Sequence, residues 1–295
     1  MKNRKLRIVR GKEAQKTLKE SVSLNGLSFG GKICRLVIEP APEDTGLVFV
    51  VGETQIPANY IYLKRENEEY TTILRKGNLE IKSVEHLLSA LWGTGIDNAL
   101  IKLETGEIPL RDASAESYTK MLNQAGVTPQ KSKRIYLRVE KKMKFVFTKD
   151  TERYAIFLPA DQLKIKATSI FKNIIGRQNF LHTWSPEIYI QQISWARSFM
   201  NSPIDEDNGE VWERVRRKIP LLPQNPKYSP LIVYTREKYL TPLKVPNEPV
   251  RHKVLDFYGD IALLGVRLLA EVRLFKPGHA FTQELVKLIA REIDG

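Results

Sequence analysis

The sequence predicts an α+β fold made of two related domains, each packing a pair of helices on a β-sheet. The chain has 295 residues, about twice the length of a usual single domain. Hydrophobic residues make up 42% of it, enough to form real cores. Strand-like runs followed by helical patterns occur in the same order in both halves, which indicates two domains of one kind.

In the first half, β-branched runs interrupted by Gly, Pro and Asn precede two amphipathic patterns. Residues 1–19 are expected to form a short polar lead-in, and residues 20–130 the first domain. Strands are predicted at 21–26, 34–40, 46–52 and 98–103. Apolar residues at helical spacing predict helices at 80–91 and 115–125, the second closed by Gly126.

The second half, residues 134–295, repeats this order after a polar, basic segment at 129–134 that we interpret as a linker. Strands are predicted at 134–139, 144–147, 154–158 and 163–170, and helices at 251–269 and 281–293. Residues 200–249 contain eight prolines and predict an irregular insertion around one short strand at 231–234.

Composition excludes several classes of protein. Cys34 is the single cysteine, so an intramolecular disulfide framework and a cysteine-based zinc cluster are both excluded. A metal would need histidine and carboxylate ligands. No apolar run approaches the roughly 18 residues of a membrane span, and the basic N-terminus lacks the apolar region of a signal peptide. We therefore expect a cytoplasmic protein with no integral membrane segment.

The chain is strongly basic, with 47 Lys and Arg against 34 Asp and Glu and a net charge of +13. This charge favours anionic partners: nucleic acid, an anionic membrane surface or a phosphate-bearing substrate. The basic residues are scattered and match no nucleic-acid-binding signature, so we expect no nucleic-acid partner. An ordinary solvated basic surface is the explanation that we favour, since charge runs mostly form exposed faces.

Two of the four histidines stand near carboxylates in the sequence. His252 and Asp256 are four residues apart in a helical pattern and project from one face, and His86 follows Glu85 in another helical stretch. Each pair alone is typical of a surface hydrogen bond. Together, two histidines and one carboxylate from two helices form the three-ligand set that catalytic Zn²⁺ uses.

The remaining chemistry of an amide hydrolase has candidates nearby. Glu85, next to a ligand, could accept the proton of an attacking water, and His279 could protonate the leaving amine. Asp260, one turn beyond Asp256, could orient and charge His279. The alternative for His279 is a local cap at the start of the last helix. His182 has no partner visible in the sequence, and we interpret it as structural.

Seven motifs, in order along residues 21–293, resemble the UDP-3-O-acyl-N-acetylglucosamine deacetylase family, the zinc amidases of lipid A biosynthesis. They are Ser-Val-Glu-His-Leu-Leu-Ser-Ala-Leu (83–91), Gly-Ile-Asp-Asn-Ala-Leu (95–100), Glu-Ile-Pro-Leu-Arg-Asp-Ala-Ser-Ala (107–115), Gly-Arg-Gln (176–178), Ala-Arg-Ser-Phe (196–199), Val-Arg-His-Lys-Val-Leu-Asp-Phe-Tyr-Gly-Asp (250–260) and Gly-His-Ala (278–280). The Val-Glu-His and Arg-His-Lys blocks are the most specific.

The resemblance implies a fold in which the helix pairs of two related domains are sandwiched between two sheets, with the metal where the domains meet. It implies these roles for individual residues: His86, His252 and Asp256 as zinc ligands, Glu85 as general base, His279 as general acid with Asp260 behind it, and Lys253 near the substrate's diphosphate. Ser198 stands where the family has a threonine that hydrogen-bonds the oxyanion, and it retains the hydroxyl.

The sequence departs from the family in the segments that the resemblance implies for substrate recognition. The family's N-terminal histidine motif is absent from residues 26–32, a family histidine near residues 66–72 is also absent, and Ala113 replaces a glycine. The proline-rich run 200–249 replaces the insertion that helps build the acyl-chain passage. Phe199 is our candidate for an apolar substrate contact there, although a core aromatic explains it equally well.

The expected function is that of a monomeric, zinc-dependent deacetylase acting on a UDP-linked, O-acylated N-acetylglucosamine. One alternative is a paralogous zinc deacetylase that acts on a different N-acylated amino sugar. The other is a non-catalytic basic binding protein, which the full set of ligands, base and acid disfavours.

Overall fold

A computed structural model describes residues 4–64, 70–202, 211–218 and 222–294. The strands in these ranges are β1 (Leu6–Leu18), β2 (Val22–Leu27), β3 (Ile33–Pro40), β4 (Leu47–Val51), β5 (Thr54–Pro57), β6 (Leu74–Lys76), β7 (Leu79–Ile81), β8 (Ala99–Leu103), β9 (Val127–Val139), β10 (Met143–Phe147), β11 (Asp150–Leu158), β12 (Lys164–Ile170), β13 (Arg177–Thr183), β14 (Phe199–Asn201), β15 (Ile232–Tyr234), β16 (Arg267–Leu269) and β17 (Glu271–Phe275). The helices are α1 (Glu85–Gly93), α2 (Glu116–Ala125), α3 (Pro186–Gln192), α4 (Val211–Lys218), α5 (Glu248–Ala262) and α6 (His279–Asp294).

Two five-stranded sheets have the same topology. The first has the strand order β2-β3-β8-β4-β5 and the second β10-β11-β17-β12-β13, so in each sheet the last strand in sequence enters between the second and the third. In each sheet that last strand pairs antiparallel with the second strand and parallel with the third. The two sheets therefore share one pattern of strand pairing, as the repeated order of strands in the sequence predicted.

Helices α1, α2, α5 and α6 lie between the two five-stranded sheets. Helix α1 packs along α5, α2 packs on α1 and on β2, and α6 packs on α5 and β10. One continuous apolar core joins the inner faces of both sheets to these four helices. The predicted α+β class, with the helix pairs of two related units sandwiched between two sheets, is confirmed.

A third sheet, with the order β1-β9-β16, contains residues that the sequence analysis assigned differently. Residues 6–18, expected within the polar lead-in, form β1, and the segment 129–134, expected to be a linker, lies within β9. The two strands pair antiparallel over most of their length, from Leu6 opposite Val139 to Leu18 opposite Val127. The polar side chains misled the prediction because the outer face of this ribbon is solvated.

Two predicted helices have different bounds in the structure. The helix predicted at 251–269 ends at Ala262 in the structure. The last residues of the predicted segment form strand β16, in which buried Leu268 pairs with Leu137 of β9. The pattern at 80–91 becomes helical only at Glu85, because β7 ends at Ile81 and Ser83 adopts a positive φ of 58°. Both errors arose from buried strands whose apolar residues continue a helical spacing.

The proline-rich segment 200–249 is more ordered than the sequence suggested. The predicted strand is present as β15, and it pairs in parallel with β14. The sequence analysis missed α4, which packs Val211 and Val215 into a small separate core with Leu222, Leu231 and Val233. Residues 203–210 and 219–221 of this segment lie outside the described residues. Among the residues that the structure describes, no helix is long and apolar enough to cross a membrane.

His182, interpreted as structural, lies in the core at 2% exposure. Its ring stacks on Phe180 and meets Tyr258 edge-on, with centroid distances of 5.9 Å in both cases. Burial lowers the pKa of His182 from its ordinary value of 6.5 to about 4, against a smaller opposing effect of Gln192. The folded protein therefore holds this imidazole neutral.

This burial predicts a loss of stability in mild acid. Between pH 6.5 and pH 4 His182 binds a proton in the unfolded chain but not in the folded chain. The free energy of unfolding therefore falls as the pH falls through this range. At about pH 4 the burial of neutral His182 lowers the free energy of unfolding by about 3 kcal/mol, since a pKa difference of one between the folded and unfolded chain is worth about 1.36 kcal/mol. We expect His182→Gln to show a weaker decrease in urea-unfolding free energy from about pH 7 to about pH 4.5 than the original chain. Equal decreases would contradict the assignment.

Candidate metal and catalytic site

Helices α1 and α5 bring together the two histidines and the aspartate that the sequence analysis proposed as ligands. His86 lies in the first turn of α1, and His252 and Asp256 lie one turn apart on α5; all three are at most 5% exposed. Asp256 Oδ1 is 3.2 Å from His252 Nε2 and 3.6 Å from His86 Nε2. One ligand atom from each of the three residues can be chosen so that all lie within 4.8 Å of one another.

A glycine makes this approach of the two helices possible. A Cβ atom at Gly259 of α5 would lie 2.1 Å from the carbonyl oxygen of Glu85, a distance that no side chain tolerates. The absence of a side chain at Gly259 therefore allows α5 to lie directly against the start of α1. This contact places the ligand of α1 beside the two ligands of α5.

The hydrogen bonding of His252 suits metal binding. Its Nδ1 lies 3.0 Å from the carbonyl oxygen of Ala196, and a carbonyl can only accept, so Nδ1 carries the proton. Burial lowers the pKa of His252 to about 3, which keeps the ring neutral. Its Nε2 therefore offers a lone pair on the side that faces Asp256.

The residues present fit a divalent metal ion. Oδ1 of Asp256 is fully buried and accepts no hydrogen bond from any residue that the structure describes, which is expensive for a carboxylate oxygen unless a cation contacts it. Two neutral imidazoles and one carboxylate are a usual donor set for catalytic Zn²⁺. Although burial opposes ionisation, the neighbouring histidines and the cationic Lys253 hold the pKa of Asp256 well below its usual range.

Glu85, the proposed base, is fixed by two consecutive threonines. The backbone N–H of Thr72 donates to Oε2 at 2.9 Å, and the hydroxyl of Thr71 lies 3.0 Å from Oε1 and 3.2 Å from Oε2. The carboxylate is only 3% exposed, and it belongs to the residue before the ligand His86. These bonds leave acceptor capacity on Glu85 for a further donor, since a carboxylate has about four lone-pair positions.

His279, the proposed acid, begins α6 and joins the ligand group from a third helix. Its Nε2 lies 3.3 Å from Oδ2 of Asp256. Burial opposes protonation of His279, but the Asp256 carboxylate outweighs it and raises the pKa of His279 to about 9. In this structure His279 is therefore a cation at neutral pH, the state that a general acid requires.

Asp260 is fully buried, and its two oxygens accept hydrogen bonds from threonine hydroxyls. Thr72 Oγ1 donates to Oδ1 at 2.7 Å, and Thr282 Oγ1 donates to Oδ2. Burial raises the pKa of Asp260 to about 6. His279 opposes this rise through its charge, and Thr282 lies one turn along α6 from His279. The role of orienting His279 stays a prediction.

Two of the three further residues proposed from sequence contact the ligand residues, and the third is held nearby along the chain. Lys253 Nζ donates to Asp256 Oδ2 at 3.0 Å and lies 5.0 Å from the ring centre of Phe199. Phe199 also meets the ring of His252 edge-on at 6.0 Å. Ser198 is held by its backbone, which donates to the carbonyl of Ala113 at 2.8 Å. Ala113 is buried at a positive φ of 46°, so the residue that replaces the family's glycine adopts a conformation that glycine prefers.

The sequence analysis missed the hydrogen-bonding residues around the carboxylates, namely Thr71, Thr72, Thr282 and Gln283. Gln283 Nε2 donates to the hydroxyl of Thr72 and to the carbonyl of Thr71, both at 3.1 Å. A signal existed for two of them, because Thr282 and Gln283 follow His279 by three and four residues and so share its helix face. The pair Thr71 and Thr72 carries no such signal, since its partners on α5 and α6 are distant in sequence.

The fold and site define an α+β protein in which the helices between two sheets carry a buried His-His-Asp group that could hold a metal ion. The family model described as UDP-3-O-acyl N-acetylglycosamine deacetylase matches residues 15–291. A UDP-3-O-acyl-N-acetylglucosamine deacetylase from Cellvibrio japonicus is 32% identical over 290 residues, covering 95% of this chain and 91% of its own length. Another, from a Nitratiruptor species, is 32% identical over 283 residues, covering 93% and 90%. The chain belongs to the UDP-3-O-acyl-N-acetylglucosamine deacetylase family.

Proposed function

We propose that the protein is a zinc-dependent amidase that removes the N-acetyl group from a UDP-linked, O-acylated N-acetylglucosamine, a precursor of lipid A. The observation that carries the proposal is that ligand atoms of His86, His252 and Asp256 lie within 4.8 Å of one another in a chain that belongs to this family. We further propose that it acts as a cytoplasmic monomer, with domains at residues 20–130 and 134–295.

In this proposal His86, His252 and Asp256 hold the zinc ion. When bound, the ion would supply a Lewis acid that activates water and polarises the amide carbonyl. Glu85, oriented by Thr71 and Thr72, takes a proton from the attacking water. A C–O bond forms at the acetyl carbon, the C–N bond breaks, and His279 gives its proton to the departing amine. The products are acetate and a free amino sugar.

The residues around this centre suit the charges of the reaction. The hydroxyl of Ser198 is our candidate donor to the oxyanion, and the bond from its backbone N–H to Ala113 holds the backbone at this position in place. Lys253, 16% exposed at its side chain, can contact a diphosphate at the mouth of the site. Phe199, half-buried in β14, offers an apolar contact for the acyl chain or the sugar.

The second candidate is a deacetylase with the same chemistry on a different N-acylated amino sugar. The proline-rich segment 200–249 favours it, because α4 and β15 form a small separate core together with Leu110 and Ala113, and β15 pairs with β14, which contains Phe199. A changed wall at this position alters which acyl group fits. The catalytic residues are common to both candidates, so only substrates distinguish them.

A matched series of sugars tests the proposal. We expect acetate release from a UDP-linked, 3-O-acylated N-acetylglucosamine to depend on added Zn²⁺, and we expect apparent affinity to fall at least about 100-fold when the diphosphate is removed, since charge-assisted contacts are the strongest polar ones. We also expect the preferred acyl length to differ from the family's usual long chain. Equal rates on sugars with long, short or no acyl chain, or full activity without the diphosphate, would favour the second candidate.

A further inference from the structure

Thr72 lies in the short segment that precedes β6, where α1, α5 and α6 meet. It is fully buried. Three of its polar groups are used: the backbone N–H, the backbone carbonyl and the side-chain hydroxyl. Their partners belong to all three helices, so one residue touches the elements that carry the proposed base, the metal ligands and the proposed acid.

The backbone of Thr72 is bound to the start of α1 from both sides. Its N–H donates to Oε2 of Glu85 at 2.9 Å, and its carbonyl accepts the N–H of Val84 at 3.2 Å. The neighbouring Thr71 hydroxyl adds a bond of 3.0 Å to Oε1 of Glu85. The position of Thr72 therefore sets the position of the Glu85 carboxylate.

The hydroxyl of Thr72 connects α6 to α5. Gln283 Nε2 can only donate, and it lies 3.1 Å from Thr72 Oγ1; the single proton of that hydroxyl then points to Asp260 Oδ1 at 2.7 Å. The second oxygen of Asp260 accepts from Thr282. The direction of the chain from Gln283 through Thr72 to Asp260 is thus fixed by the chemistry of its two ends.

We propose that Thr72 is a positioning residue that couples the two sides of the active site: its backbone N–H orients Glu85, and its hydroxyl fixes Asp260 and, through Asp260, the start of α6 that carries His279. The inference rests on the proposed function for its effect on the reaction. The hydrogen-bond chain itself is independent of that function.

Two substitutions separate the hydroxyl from packing. Thr72→Val keeps the shape and the backbone N–H but removes the hydroxyl, and Thr72→Ser keeps the hydroxyl but removes a methyl group. At equal metal content, we expect kcat for acetate release to fall about 10- to 100-fold in Thr72→Val, while KM changes less than about twofold. Displacement of Glu85 and His279 slows the chemical step and leaves substrate binding largely unchanged. Thr72→Ser should retain kcat within about threefold. Equal losses in both variants would indicate packing alone and overturn the proposal.

A double-mutant cycle tests whether the hydroxyl acts through Asp260. In an Asp260→Asn background, Thr72→Val should lower kcat less than about threefold further, since the two residues form one chain. Full additivity would overturn this path. If Thr72→Val does not fold, Gln283→Met removes the other donor of the chain without altering residue 72, and we expect it to lower kcat about three- to tenfold. Native kcat in Gln283→Met would count against the proposal.

A readout that needs no activity separates failure of this inference from failure of the proposed function. The pKa of Asp260, followed by the NMR shift of its carboxyl carbon in metal-free protein, should rise in Thr72→Val and stay in place in Thr72→Ser. The titratable groups that face Asp260 are His279 and Glu85, and both are unchanged in these variants. An unchanged pKa in Thr72→Val would overturn the hydrogen-bond chain. Absence of zinc-dependent acetate release by the original chain would refute the proposed function alone.

Discussion

His252→Ala is expected to remove bound zinc from the protein. The original chain should copurify with about one divalent ion, and iron can take the place of zinc during expression. Replacing one of three protein ligands should weaken metal binding by more than the roughly 10- to 100-fold typical of residues that only support a ligand. Mass-spectrometric metal content after dialysis should fall from about one ion per chain to a trace, for both His252→Ala and His86→Ala.

A matched control distinguishes loss of a ligand from loss of a buried histidine. His182 is as buried as His252, at 2% and 1% exposure, but it lies in the aromatic core apart from the His-His-Asp group. His182→Ala should therefore retain metal while losing comparable packing. Circular dichroism and cooperative unfolding should show all three variants folded. Metal retained in both ligand variants would show that the ligand assignment is wrong.

The ligands could be proposed from sequence because helical geometry is local. A spacing of four residues always brings two side chains to one helix face, so His252 and Asp256 belong together wherever α5 lies. The proposal that His86 joins them rested on the donor set that catalytic Zn²⁺ uses, because the contact of α1 with α5 depends on tertiary packing and leaves no local pattern. Gly259, whose missing side chain allows that contact, carries no sign of this role in the sequence.

Three failures of sequence reasoning share a physical cause, which is pairing over long distances in the chain. Strand β1 has few apolar residues, and it is a strand because β9, distant in the chain, lies beside it. The residues of β16 continue the apolar spacing of α5, and only their pairing with β9 makes them a strand. Thr72 was missed for the same reason, since it bonds to Asp260, 188 residues away. Local patterns contain no information on such partners.

Glu85→Gln is expected to retain the metal and to lose amide hydrolysis. The amide keeps the size of the side chain and one oxygen that can accept from Thr72, but it cannot take a proton from water at neutral pH. The loss of a positioned base lowers kcat by about 10²- to 10⁴-fold. Acetate release with saturating substrate, together with metal content measured on the same sample, checks both halves of the prediction.

His279→Gln should show a loss of the same order for the opposite reason, because glutamine cannot supply the proton that the departing amine needs. His279 is suited to this step because Asp256 outweighs the effect of burial and raises its pKa to about 9, which favours the protonated ring that an acid needs. Glu80→Gln is the control for Glu85, since Glu80 pairs with Arg75 at the surface and should leave kcat unchanged. Turnover within about tenfold of the original chain in Glu85→Gln or His279→Gln, with metal bound, would remove that residue from the mechanism.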